Sequence, residues 1–154
     1  MPQFIHAGTE EHYRAAGTLF REYADSLEID LCFQGFENEL KNLPVIYASQ
    51  TGGIILCRVD DMYAGCIAVR KIDNETCELK RMFIRNSHRG KGIARRLLEL
   101  AIELAREKGY SRMRLDTLTT MKPAIHLYRE CGFYEIPAYY FNPEKNVLFM
   151  ETVL

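Results

Sequence analysis

The sequence predicts a mixed α/β (α+β) fold: a mostly antiparallel, twisted sheet flanked by helices, with one parallel strand pair. Two arrangements of elements carry that expectation. Strand-like runs at 54–59 and 63–69 are separated only by Asp60-Asp61, a tight-turn pair, which makes an antiparallel hairpin. Farther on, a strand-like run at 76–84, a glycine-rich turn, an amphipathic helix and a strand-like run at 112–116 follow one another. Such a strand–helix–strand unit closes as a right-handed crossover between parallel strands.

The elements follow in order. Residues 4–7 read as a first short strand. Thr9 caps the next helix, Glu10 and Glu11 suit its first turn, and Tyr13, Ala16, Leu19, Phe20 and Tyr23 recur at helical spacing. Residues 25–35 form a less regular link. Residues 36–43 read as a second, short helix that Pro44 ends. Asp73-Asn74 leads by a turn into the strand at 76–84. The helix at 93–108 has one apolar face, built from Ile93, Leu97, Leu98, Ala101, Ile102, Leu104 and Ala105, and it stops at Gly109. Pro123 opens another helix, which Gly132 ends. Strands at 133–136 and 146–152 finish the chain. Nothing in it repeats, and no linker divides it, so residues 1–154 are expected to form a single domain.

Composition narrows the function. A net charge of −1 and a pI of about 6.4 speak against a surface built to coat nucleic acid. Five cysteines, an odd number with no C-x-x-C pair, speak against a disulfide framework or a zinc site. They read as reduced, buried residues of a cytoplasmic protein. The first residues lack the basic and apolar regions of a signal peptide, and no run approaches the ~20 apolar residues of a membrane span.

The chemistry points to the turn Arg89-Gly90-Lys91-Gly92, lodged between a strand and a long helix. Glycines let backbone approach a bulky anion, and the helix start behind them offers unpaired N–H groups and the positive end of its dipole. A pyrophosphate suits such a place. The nucleotide P-loop pattern is absent. So is the dinucleotide fingerprint, since Ile93, Ala94 and Arg95 follow Gly92 with no third glycine or alanine in place.

Two segments carry a family resemblance. The run from Glu78 to Ala94 resembles the acyl-CoA-binding motif of the GNAT N-acetyltransferase superfamily, whose pattern Arg/Gln-x-x-Gly-x-Gly/Ala is matched by Arg89, Gly92 and Ala94. The run from Ala124 to Phe133 resembles the second signature, a helix carrying A-x-x-x-Y followed by a Gly-Phe strand entry. The segments at 33–36 and 139–143 are similar to a bacterial subgroup of the same superfamily. Two positions depart from the pattern: Asn86 stands where proline is common, and Met121 where many members have asparagine.

The resemblance implies an acetyl-CoA-dependent N-acetyltransferase that moves an acetyl group to a primary amine by direct attack. It implies that a splayed parallel strand pair holds the acyl-CoA, with backbone amides of Arg89, Gly90, Lys91, Gly92, Ile93 and Ala94 on the diphosphate. Arg89, Lys91 and Arg95 add charge there. Met82, Phe83 and Ile84 become the strand edge for the pantetheine arm. Tyr128 becomes the general acid that returns a proton to the departing thiolate, and Glu78, or water, the general base. His126 is a weaker candidate base. Phe33, Phe36, Tyr139 and Tyr140 become aromatic walls of the acceptor site, where Glu28, Asp30 and Asn142 grip a cation. The partner implied is a small-molecule amine or a peptide amine, with no metal, nucleic acid or membrane, and the resemblance is compatible with a homodimer. The alternative is a module that binds acyl-CoA as a sensor without turning it over.

Overall fold

A computed structural model describes residues 1–27, 31 and 35–154. Its seven strands are β1 (Gln3–His6), β2 (Gly53–Val59), β3 (Met62–Lys71), β4 (Thr76–Ile84), β5 (Arg112–Leu118), β6 (Tyr134–Ile136) and β7 (Val147–Val153). Its helices are α1 (Glu10–Ser26), α2 (Phe36–Lys41), α3 (Leu43–Ile46), α4 (Ile93–Glu107) and α5 (Lys122–Glu130). The strands form one sheet in the order β1-β2-β3-β4-β5-β7-β6. Every neighbouring pair is antiparallel except β4 and β5, which run parallel through the α4 crossover.

Local chemistry explains the elements. Thr9 caps α1 by accepting from the His12 amide, while the His12 ring accepts from the Thr9 amide. Asp60 and Asp61 both have positive φ, as a mirror-image two-residue hairpin turn requires. One boundary differs from expectation. Pro44 does not end a helix at 36–43; Asn42 separates α2 from α3, and Pro44 sits in the first turn of α3. There its missing N–H costs nothing, because first-turn amides have no partner within the helix.

Two cores cover the two faces of the sheet. Leu97, Leu98 and Ala101 of α4 are fully buried against β3, β4 and Met113 of β5. Each buried leucine contributes about 1.5–3 kcal/mol. On the other face Leu19 and Phe20 of α1 pack with Phe36, Tyr47 and Leu56. Cys57, Cys66 and Cys77 are buried, Cys131 is partly so, and all four are free thiols. Cys32 lies outside the described residues.

A bulge interrupts β4. Cys66 pairs with Phe83 and Ala68 with Lys80, so Arg81 and Met82 together oppose Ile67. Arg81 has φ of 60°, a left-handed conformation that costs a non-glycine residue about 1–3 kcal/mol. Its surroundings hold it there. The guanidinium gives two bonds to Glu39, of 3.0 and 2.8 Å, and lies over the Phe36 ring. Tyr47 donates to the same Glu39 carboxylate at 2.9 Å, and the Cys66 thiol donates to the Arg81 carbonyl at 3.3 Å. The extra residue shifts the alternation of the strand. Cys77 and Leu79 belong to the α4-side core before the bulge, whereas Met82 and Ile84 pack there after it.

Candidate active site

The parallel strands part almost as soon as they meet. Thr76, Cys77 and Glu78 pair with Arg112, Met113 and Arg114, and the ladder ends. Beyond Glu78, β4 pairs only with β3, and beyond Arg114, β5 pairs only with β7. The β5-facing edge of residues 79–84 is therefore unpartnered, and a narrow cleft opens between the strands. Lys80, Met82, Asp116, Thr117, Tyr23 and Tyr128 line it.

One mouth of the cleft leads to the turn before α4. A cavity of about 420 Å³ runs from Met82, Phe83 and Ile84 to Arg89, Gly90, Gly92, Ile93 and Ala94. Gly90 and Gly92 have φ of 77° and 79°, which explains the glycines; a Cβ at either would meet open space. Gly92 begins α4 with no side-chain cap. Among the described residues, no acceptor in the chain takes a hydrogen bond from the amides of residues 90–95, and the first helical bond comes from the Arg96 amide to Gly92. Six successive free N–H groups at a helix start form a ready cradle for an anion.

The basic side chains around this turn are not equivalent. Arg89 folds back, giving a 2.9 Å bond from Nε to the Ile84 carbonyl at the end of β4. Arg95 pairs with Glu130 of α5 at 2.9 Å, half exposed. Lys91 is exposed. Asn86, in the place where proline is common, stands in a 3-10 turn at Asn86–His88. Met121 precedes α5 and offers its sulfur to the Thr117 hydroxyl at 3.7 Å, so this edge of the cleft is apolar.

Tyr128 reaches the cleft from α5. It is 7% exposed, its ring packs against Phe133, and its hydroxyl has no hydrogen-bond partner among the described residues. Burial holds its proton on far more firmly than in a free tyrosine, and the neighbouring Tyr23 and Asp116 add to this. Tyr23, from α1, packs edge-on to Phe83, and burial pushes its hydroxyl up to about 12. His126 points elsewhere: it is exposed on α5 and sits 3.3 Å from Glu130.

A second cavity, of about 510 Å³, lies beside the cleft and shares Lys80 with it. It is lined by Glu39, Arg70, Glu78, Lys80, Tyr139, Tyr140 and Phe141, among others. Glu78 is buried on its floor. It accepts from Arg70 Nε at 2.8 Å and from the Tyr139 hydroxyl at 2.6 Å, with Lys80 Nζ 3.8 Å away. Tyr140 donates to Asp116 Oδ2 at 2.6 Å and receives a 3.2 Å bond from Asn142 Nδ2. Tyr139, Tyr140 and Phe149 pack edge-on to one another, each pair 5.3 Å between centroids. Burial, reinforced by Glu78, raises the Tyr139 hydroxyl; burial, reinforced by Asp116, raises that of Tyr140.

Most residues singled out from the sequence thus gather along one track. Phe36 does not; it is core, beneath Arg81. Phe33, Glu28 and Asp30 lie outside the described residues. Sequence reading missed Asp116, Lys80, Arg81, Glu39 and Tyr23. Asp116 carried one signal: it stands on the crossover strand two residues past the partner of Glu78. Among the described residues, no three His, Cys, Asp or Glu side chains gather as a metal would require, and no helix is long and apolar enough to cross a membrane.

Known proteins share this architecture. A GNAT-family acetyltransferase from Staphylococcus aureus superimposes with a TM-score of 0.82 at 21% identity, covering 99% of both chains, which shows the fold. An uncharacterised N-acetyltransferase of Schizosaccharomyces pombe is 37% identical over 134 residues, 86% of this chain and 82% of its own. Another from Dictyostelium discoideum is 29% identical over 198 residues, 88% of this chain and 92% of its own. Fold and relatives define an acyltransferase. Residues 18–133 match the Acetyltransferase (GNAT) family, and the chain belongs to that family, which uses acetyl-CoA as co-substrate.

Proposed function

We propose that this enzyme moves the acetyl group of acetyl-CoA to a primary amine by direct attack, with no acetyl-enzyme stage. The observation that carries this reading is a continuous track. Six free amides at the start of α4 lead along the unpartnered edge of β4 to a cleft beneath a buried tyrosine with an unengaged hydroxyl. The residues present fit acetyl-CoA. The amides of residues 90–95 suit its diphosphate, with Lys91 and Arg95 close by, while Arg89 braces the turn against β4. Residues 82–84 present main-chain groups to an amide-bearing arm as an edge strand would. Acetyl-CoA supplies an activated acyl group whose thioester reaches the cleft.

In this reading an amide near the β4 bulge polarises the thioester oxygen as an oxyanion donor does. Tyr128 protonates the departing sulfur; its raised affinity for the proton keeps it an acid across the physiological range. The amine enters from the second cavity, between Tyr139, Tyr140 and Glu78, with Asn142 bracing Tyr140. It gives up its proton there, where Glu78 and Asp116 stand on the same face of the sheet. The acceptor is a small-molecule amine or a peptide amine, and the chain works in the cytoplasm.

The test is CoA release from acetyl-CoA with L-lysine, L-phenylalanine, putrescine and a lysine-rich peptide as acceptors. The expected result is release together with an acetylated amine for at least one of them. Tight binding of acetyl-CoA with no release for any amine would overturn the transferase reading in favour of a sensor.

A further inference from the structure

We infer that Asp116 is the group that takes the proton from the acceptor amine, and that Tyr140 positions it; this rests on the transferase reading above. Glu78 is the carboxylate that the sequence brings forward, yet both of its oxygens are engaged. Arg70 and Lys80 face Oε1, Tyr139 donates to Oε2, and the side chain is 3% exposed. With both oxygens taken by donors of the chain, Glu78 leaves an incoming amine no open acceptor atom. Asp116 differs on each count. It is half-buried, it lines the cleft itself, and its one donor among the described residues is the Tyr140 hydroxyl on Oδ2. Oδ1 accepts from no described group and is left for a substrate.

Position agrees with chemistry. Asp116 lies on β5 two residues beyond the last rung of the parallel ladder, so it stands inside the splay. Tyr128 lines the same cleft from α5, and the Asp116 charge acts on its hydroxyl. Acid and base therefore bracket one small space. The titratable groups facing Asp116 are Tyr140 from the loop after β6, Lys80 from β4, Tyr23 from α1 and Tyr128 from α5, with Glu78 and Tyr139 just beyond.

The step balances as follows. The amine nitrogen forms a bond to the thioester carbon, and the carbon–sulfur bond breaks with its electron pair on sulfur. Sulfur takes the Tyr128 proton. The nitrogen, arriving as an ammonium, loses two protons through Asp116 Oδ1; one restores Tyr128 and the other passes to solvent.

The experiment compares Asp116→Asn, Asp116→Glu, Glu78→Gln and Tyr140→Phe in the full chain, using whichever amine of the panel is acetylated best. Asp116→Asn is expected to lower kcat at least 100-fold, abolish the acidic limb of the kcat–pH profile and leave acetyl-CoA affinity within twofold. Asp116→Glu restores part of the rate and the limb. Tyr140→Phe moves the limb without abolishing it, as a positioning residue should, and Glu78→Gln keeps the limb. If Asp116→Asn does not fold, Asp116→Ser with added formate takes its place, and formate should raise its rate. A wild-type limb that survives in Asp116→Asn, or vanishes in Glu78→Gln, would overturn the assignment while leaving the transferase intact. No acetylated product from the wild type with any amine would overturn both.

Discussion

Tyr128 shows how a side chain becomes chemically useful through what it lacks. A buried phenol normally finds a partner, because an unsatisfied hydroxyl costs free energy. Here the ring packs on Phe133 and the hydroxyl opens on the cleft without a partner among the described residues. Tyr128→Phe removes one oxygen from that cleft and nothing from the core. It should lower kcat about 10²–10⁴-fold, the usual worth of a positioned acid. Acetyl-CoA affinity should stay within twofold and the melting temperature within ~2 °C. A variant with full kcat, measured by CoA release, would remove Tyr128 from the chemistry.

At the scale of elements, α2 does work that its six residues conceal. Glu39 reaches from α2 to the β4 bulge and grips Arg81, which sits in a backbone conformation it would otherwise leave. Breaking a buried ion pair by removing one partner costs about 3–5 kcal/mol. Glu39→Ala should therefore lower the melting temperature by roughly 10 °C for a chain of this size. It should also reduce turnover well below the new melting point, since the bulge sets the direction of the main chain at residues 82–84. Normal turnover in a folded Glu39→Ala protein would separate α2 from the site. The turn before α4 makes a second element-scale prediction. Acetyl-CoA at about 100 times its Kd should stabilise the protein by about 2.7 kcal/mol. S-acetylpantetheine, which lacks the diphosphate, should give a much smaller shift at the same concentration. Equal shifts would mean that the free amides of residues 90–95 do not hold the diphosphate.

The whole molecule carries its acid sensitivity in a few carboxylates paired with arginines. Burial alone would raise the Glu39 carboxyl, but the Arg81 guanidinium outweighs it and holds the group below its usual range. Arg85 lowers Glu22 by a direct bond. Burial of Glu151 is outweighed in the same way by Arg114, Tyr134 and Arg112. A carboxylate with a lower value in the folded than in the unfolded chain stabilises fully above the unfolded value, about 4.3 for Glu, and loses that contribution as pH falls through the folded value. Urea unfolding should therefore show constant stability from pH 7 to about pH 5 and a steep fall below about pH 4.5. Glu39→Gln should flatten part of that fall. A protein as stable at pH 3.5 as at pH 7 would contradict these pairings.

Much of this was legible in the sequence. The hairpin at Asp60-Asp61, the capped α1, the amphipathic α4 and the crossover into β5 all follow from local patterns, because turn chemistry and side-chain periodicity act over a few residues. The glycine turn was legible for the same reason: positive φ and a free helix start are properties of the chain at that point. What only the tertiary structure decided is how distant charges pair. Glu39 finds Arg81 and Tyr139 finds Glu78 across 42 and 61 residues. Periodicity holds no record of such partners, and so Phe36 read as a pocket wall and Asp116 went unnoticed. The cleft itself belongs to the same class. The run at 76–84 reads as one continuous strand in sequence, and only the end of its ladder with β5 at Glu78 leaves one edge of residues 79–84 unpaired. An unpaired edge is a relation between two strands, fixed where the sheet twists them apart, and no single segment encodes it.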